Sequence, residues 1–302
     1  MRECELLAKI AERSGSLARK FPQVTTGPGD DCAVVRIANT DCLLTVDQVI
    51  EGRHFRKGTP LDLVARKAIA RSLSDIAAMA GTPVCALATG ALPRGFPQPD
   101  ADALFESMKG WAEHWQCPLV GGDIASLPCA TDPLTITVTI VGSPHPSRGA
   151  VLRSGAQPGD GIYVTGTLGG TLDAATGLGK HLTFEPRLQE ARALAEALGP
   201  RLHAMMDISD GLGRDATRMA SASSARFEIR SDLIPGESSD WRRAASDGED
   251  YELLFAAAGA VDSLLPGGLR ISRIGSVGNG RGCGILDGTA TIDAHELGWE
   301  HR

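Results

Sequence analysis

One acidic residue lies where a helix should be apolar, and that limits how this chain can fold. Over 61–80, Leu61, Val64, Ala65, Ala68, Ile69, Ser72, Ile76 and Ala80 recur at helical spacing. At about 100° per residue from Leu61, Asp75 falls at about 320°, between Val64 at about 300° and Ala68 at about 340°. A carboxylate on that buried stripe costs several kcal/mol, roughly, unless it is paired or metal-bound. An ion pair to a buried Arg and a metal ion are the two solutions. Metal ligation is favoured, because other carboxylate clusters recur with few cations beside them.

Those clusters are Gly29-Asp30-Asp31, Thr45-Val46-Asp47, Leu73-Ser74-Asp75, Gly121-Gly122-Asp123, Asp207-Ile208-Ser209-Asp210-Gly211 and Asp247-Gly248-Glu249-Asp250. Any one of them reads as a cap or a turn. Six together predict a site of oxygen donors at the ends of elements. Without paired His or Cys, such donors suit Mg²⁺, and Mg²⁺ sites of this kind serve phosphates.

The overall charge, −7, fits that reading. It argues against nucleic acid or an anionic membrane bound by charge alone. An acidic cleft repels polyphosphate, and bridging divalent ions reverse that repulsion. Arg153 is a candidate for fixed positive charge on the phosphate chain, or an ordinary surface arginine. The first fifteen residues lack the apolar middle of a signal peptide. The uncharged stretch 76–93 is broken by Gly81-Thr82-Pro83 and Gly90, so it reads as a helix end and a buried strand, not a membrane span. Seven cysteines without a C-x-x-C pair give neither a disulfide framework nor a zinc site, which suits a reducing cytoplasm.

A length of 302 residues suggests two domains. The Pro- and Gly-rich segment 143–160 places the boundary near 147, giving domains 1–146 and 147–302. Strands are expected at 41–46 (ending on Asp47), 135–141, 162–165, 227–230, 251–256 and 271–274. Helices are expected at 61–80, through the Leu104, Met108, Trp111 and Trp115 stripe, at 185–198 and at 211–220. Strands and helices mix without strict β-α-β alternation, so both halves read as α+β.

Several chemistries are excluded by motif. No P-loop, G-x-G-x-x-G, protein-kinase signature or H-E-x-x-H occurs. Ser209 resembles a nucleophile elbow, but Asp207 stands in place of its first Gly and would oppose alkoxide formation.

The motifs GPGDDCAVV (27–35), TVDQVIEGRHF (45–55), ARSLSDIAAMAG (70–81), VGGD (120–123), RSGAQPGD (153–160), MDISDGL (206–212) and DGEDYEL (247–253) together resemble the thiamine-monophosphate kinase family. That family sits in an ATP-binding superfamily with aminoimidazole ribonucleotide synthetase, selenophosphate synthetase and a hydrogenase-maturation protein. The resemblance implies a two-domain α+β fold of the aminoimidazole ribonucleotide synthetase type. The N-terminal domain would carry ATP, Mg²⁺ and a homodimer interface, and the C-terminal domain would complete the nucleotide and substrate sites. It also implies direct transfer of the γ-phosphoryl of ATP to thiamine monophosphate; because two like-charged phosphates must meet, in-line displacement assisted by several Mg²⁺ ions is the expected mechanism.

By position, the resemblance implies Asp31, Thr45, Asp47, Asp75, Asp123, Asp207 and Asp210 as ligands of several Mg²⁺ ions, Asp210 also as the catalytic carboxylate. Gly122, Asp123, Arg153 and Ser209 would contact ATP. His54, Glu249 and Trp299 would form the substrate pocket, with Trp299 stacking on a cationic thiazolium or a pyrimidine. Set against these roles are a core-bound His54, a solvated turn at Glu249 and a Trp299 tucked into the core.

Three positions depart from the family pattern. Val46 stands where Thr is frequent, Asp247 replaces a Gly, and Ile124 follows GGD where Thr is usual. Among superfamily alternatives, Cys4-Glu5 offers no selenophosphate synthetase motif. The ending Trp299-Glu300-His301-Arg302 lacks the Cys tail of the hydrogenase-maturation protein. A ribonucleotide synthetase would not need an aromatic platform such as Trp299, and the intact carboxylate set argues against a catalytically idle Mg-nucleotide sensor.

Overall fold

The Thr/Ile/Val alternation of 135–141 becomes the central strand of a mixed sheet in the computed structural model of the chain, which describes residues 3–263, 265 and 267–299. The side chain of Cys4 and residues Glu300, His301 and Arg302 lie outside that description.

The first sheet comprises β1 (Val24–Thr26), β2 (Ala33–Ile37), β3 (Thr40–Ile50), β4 (Thr82–Leu92), β5 (Leu119–Ser126) and β6 (Thr135–Ser143). Its order is β1-β2-β3-β6-β4-β5, antiparallel except for the parallel β4/β5 edge pair. Helices α1 (Glu3–Ser14), α2 (Leu17–Lys20), α3 (Leu61–Ala78) and α4 (Gln98–His114) belong to this half.

The second sheet comprises β7 (Gly161–Thr165), β8 (Leu202–Asp207), β9 (Arg226–Arg230), β10 (Leu253–Ala257), β11 (Ile271–Gly278), β12 (Gly282–Asp287) and β13 (Ala290–Asp293). Its order is β13-β12-β9-β11-β7-β10-β8, with β9/β12 the parallel pair. Helices α5 (Lys180–Thr183), α6 (Leu188–Leu198), α7 (Leu212–Ala222) and α8 (Trp241–Ser246) complete it. The architecture is two α+β halves, as the sequence led us to expect.

The differences have physical causes. β3 does not end at Asp47 but runs on to Ile50, because Val49 is buried and pairs with Ile136 of β6. The strand expected at 251–256 starts two residues later, since Tyr251 takes a positive φ of 53° that no strand accepts. α6 starts at Leu188, after Pro186, not at Glu185. Gly121-Gly122-Asp123 does not sit at an element end: it lies within β5.

α3 is buried nearly all round. Leu73, Ile76 and Met79 pack with Leu43, Val138 and Ile140 of the first sheet, while Ala77 and Ala80 join Tyr163, Leu194 and Phe255 of the second half. Its buried residues therefore include Arg66, Lys67 and Ser74 as well as the apolar stripe. A helix wrapped by two domains has no solvent face on which to leave its charges.

No described helix is long and apolar enough to cross a membrane. Six cysteines are free thiols among the described residues.

Gly122 shows why VGGD needs glycine. A Cβ there would stand 1.8 Å from the carbonyl oxygen of Ala88 on β4, inside any permitted contact. Gly122→Ala should destabilise the protein by about 2 kcal/mol or more by prying β5 from β4. Urea unfolding checks this, with Gly110→Ala, at an open position, as the control.

Candidate active site

Three segments distant in sequence bring Asp31, Asp75 and Asp207 together. Asp31 precedes β2, Asp75 lies in the last turn of α3, and Asp207 ends β8. One carboxylate oxygen of each lies within 4.8 Å of the others. Burial, reinforced by Asp47, Asp207 and Asp31, pushes the Asp75 carboxyl well above its ordinary range. Burial and the Asp31 charge raise Asp207 likewise, against the hydroxyl of Ser74, which donates to it at 2.6 Å. The Thr45 hydroxyl donates to Asp75. Burial and Asp31 also lift Asp30 to about 6.

Arg153 is no ordinary surface residue. Its guanidinium binds Asp31 through two bonds, of 3.1 and 2.7 Å, and its backbone N–H donates to Asp30. One arginine facing this many acids leaves an excess of negative charge. The donors are hard carboxylate and hydroxyl oxygens, so the residues present fit a divalent cation of the Mg²⁺ class.

Of the other implied ligands, Thr45 touches the cluster through its bond to Asp75, whereas Asp47, Asp210 and Asp123 are not among the three grouped carboxylates. Asp47, two residues beyond Thr45 on β3, is held by Arg71 at 3.3 Å. Asp210 is held by Arg218 at 2.6 Å, beside the buried Asp215. Asp123 is exposed on the edge strand β5, in register with the exposed Thr89. The expectation of few partner cations near the acids is corrected: Arg71 pairs with Asp47, Arg153 with Asp31, and Arg218 with both Asp210 and Asp215.

Next to the carboxylates is a cavity of about 390 Å³ whose walls include His54, Arg71, Ser209, Asp210, Glu249 and Trp299. His54 accepts from the backbone N–H of Ile50 at 3.0 Å, so it is both anchored and part of the wall. Trp299 is 56% exposed, not tucked into the core, and the Arg53 guanidinium lies 5.7 Å from its ring centre. Its backbone N–H bonds the carbonyl of Asp210, which fixes the C-terminal segment to the DISDG turn. Asp247 also lines the cavity, where it accepts from the backbone N–H of Gly170.

Glu249 is not in a solvated turn. Its carboxylate meets the fully buried Lys67 at 2.6 Å and His181 at 3.3 Å. Lys67 also donates to the carbonyl of His54 at 2.7 Å, so one ammonium ties two walls of the cavity together. Burial lowers Lys67 to about 8. Burial alone would raise Glu249, but His181 and Lys67 hold it down to about 2. Glu249 and Tyr251 both have left-handed φ, 62° and 53°, and their N–H groups bond the carbonyls of Ser209 and Ile208. The loop is therefore strained and pinned against the DISDG turn.

Lys67, Arg71, His181, Asp215 and Arg218 were missed from the sequence. The signal for the first two was present: Lys67, Arg71 and Asp75 are spaced four apart, one face of one helix. Asp215 accepts from the N–H groups of Ser209 and Asp210 and so shapes the DISDG turn.

Comparison with known proteins adds the following. Residues 29–143 match the family AIR synthase related protein, N-terminal domain, and residues 157–285 match AIR synthase related protein, C-terminal domain. The thiamine-monophosphate kinase of Rhodopirellula baltica is 35% identical over 285 residues, covering 86% of this chain and 85% of that protein. The structure of AaThiL complexed with AMPPCP and TMP superposes with a TM-score of 0.79 at 26% identity, over 100% of this chain and 97% of that one. Thiamine monophosphate kinase from Aquifex aeolicus superposes with a TM-score of 0.71 at 27% identity, over 97% and 99% of the two chains.

The Glu249 ion pair predicts a pH dependence. Its carboxyl ionises near 2 when folded against an ordinary 4.5. Below 4.5 the unfolded chain binds more protons, so this stabilisation is complete above pH 4.5 and is lost as pH falls towards 2. Urea titrations across that window should show a shallower acid loss for Glu249→Gln than for the unmodified protein.

Proposed function

Because the chain belongs to the thiamine-monophosphate kinase family, within the AIR synthase related proteins, we propose that it transfers the γ-phosphoryl group of ATP to thiamine monophosphate, forming thiamine diphosphate and ADP. The observation that carries this reading is the cluster of Asp31, Asp75 and Asp207 beside a cavity walled by Glu249, Arg71 and Trp299. A site for hard cations thus adjoins a pocket that offers an aromatic platform and a carboxylate.

Mg²⁺ ions, when bound, neutralise phosphate oxygens and hold them in line. Asp31, Thr45, Asp47, Asp75, Asp123, Asp207 and Asp210 are the residues we assign to them. Gly122, Asp123, Arg153 and Ser209 are assigned to ATP. Trp299 stacks on the substrate ring, Glu249 accepts from its aminopyrimidine, and His54 faces the accepting phosphate. Lys67 keeps Glu249 ionised and therefore an acceptor. The acceptor phosphate is already an anion at neutral pH, so the cavity needs no strong general base. In-line displacement follows, with no covalent intermediate on the protein.

We assign residues 1–146 to an N-terminal ATP- and Mg²⁺-binding domain and 147–302 to a C-terminal domain. The first sheet ends at Ser143 and the second begins at Gly161, which supports that division. A homodimer through the first sheet is supported by the exposed Val46, Leu87, Val120 and Ile124 on β3, β4 and β5. Free thiols fit a reducing cytoplasm, and net charge −7 fits small anionic substrates delivered with cations rather than nucleic acid.

An ADP-release assay with thiamine monophosphate tests the reaction. ADP release without that acceptor, or none at all, would leave an idle nucleotide binder or another enzyme of the superfamily. Asp75→Asn and Asp210→Asn should each lower turnover at least about 100-fold while melting within a few degrees of the unmodified protein. Wild-type rates from both variants would refute the metal-site assignment.

A further inference from the structure

The cavity and the carboxylate cluster are joined by one row of side chains on α3. Lys67, Arg71 and Asp75 follow each other at intervals of about one helical turn. The two ends of the row are committed, Lys67 to Glu249 in the cavity wall and Asp75 to the cluster. Arg71 lies between them and lines the cavity. It donates to the carbonyl of Gln48 at 3.0 Å and reaches Asp47 at 3.3 Å. Its Nε is buried and has no hydrogen-bond partner among the described residues. A buried donor without an acceptor is rare, and an incoming anion would complete it.

Arg153 and Arg218 are placed differently. The first chelates Asp31 with both arms of its fork, and the second is shared by Asp210 and Asp215. Resting on the kinase reading above, we propose that Arg71 contacts the accepting phosphate and the phosphoryl group as it crosses, and is a catalytic residue of the transfer.

In that step an oxygen of the acceptor phosphate forms a bond to the γ-phosphorus. The bond from that phosphorus to the oxygen bridging it to the β-phosphate breaks, and this oxygen leaves with the electron pair on ADP. No proton has to move, because the acceptor oxygen is already unprotonated. Negative charge from both partners gathers at one point, where a planar guanidinium offers parallel donors that an ammonium cannot. Burial would weaken the charge on Arg71, but the surrounding Tyr251, Asp47, Glu249 and Asp75 outweigh it and keep the group protonated.

The test uses the full chain with Mg²⁺, comparing Arg71→Gln and Arg71→Lys with the unmodified protein. Turnover of Arg71→Gln should fall about 100-fold or more, with Arg71→Lys in between. Titration should show that Arg71→Gln no longer prefers thiamine monophosphate to unphosphorylated thiamine, while AMPPCP affinity stays within about threefold. Guanidinium ion should restore part of the rate to Arg71→Ala. If Arg71→Gln fails to fold, Arg71→Lys and the phosphate preference decide. Turnover within about threefold of the unmodified protein, or an unchanged preference for the phosphorylated ligand, would overturn the assignment. An unmodified protein that is inactive on thiamine monophosphate would overturn the kinase reading itself, and this assignment with it.

Discussion

Repulsion among carboxylates gathered at the C-terminal end of α3 is the constraint around which the molecule is arranged. Asp31, Asp75 and Asp207 come from two domains, and each is buried or nearly so. Like charges at that separation in a poor dielectric cost several kcal/mol, roughly, and the protein offsets only part of it. Arg153 chelates Asp31, Ser74 donates to Asp207, and Thr45 donates to Asp75. What is left over is an electrostatic demand of the kind a small dication would satisfy.

α3 makes this arrangement rigid. It carries Lys67, Arg71, Ser74 and Asp75 on a rod gripped by the first sheet on one side and by Tyr163, Leu194 and Phe255 on the other. Each of these side chains is answered by a group from another segment. Glu249 meets Lys67, Asp47 meets Arg71, Asp207 meets Ser74, and Thr45 meets Asp75. The polar row of α3 therefore sets the spacing between the carboxylate cluster and the Lys67–Glu249 pair to about two helical turns.

Much of this was legible in the sequence. The helical angle of Asp75 showed that its carboxylate could not face water, and the clustered acids indicated oxygen donors and a hard cation. Lys67 and Arg71 were not legible by the same argument, because a helical wheel assumes one buried face, and α3 is buried on two. Arg153 could not be told from a surface arginine until its fork was seen on Asp31. The left-handed Glu249 and Tyr251 were hidden for a different reason: positive φ at bulky residues is imposed by tertiary hydrogen bonds, here to Ser209 and Ile208, and has no local signature. The extension of β3 past Asp47 likewise depends on its pairing with β6.

The double burial of α3 bears on how the chain matures during synthesis. Ala77 and Ala80 find their apolar neighbours as far along as Phe255 and Ile271. Every strand of the first sheet has been synthesised by Ser143, yet one flank of its central helix must wait for most of the remaining polypeptide to emerge. During that interval an apolar, charge-studded surface stands open, the kind of surface that nascent-chain chaperones capture.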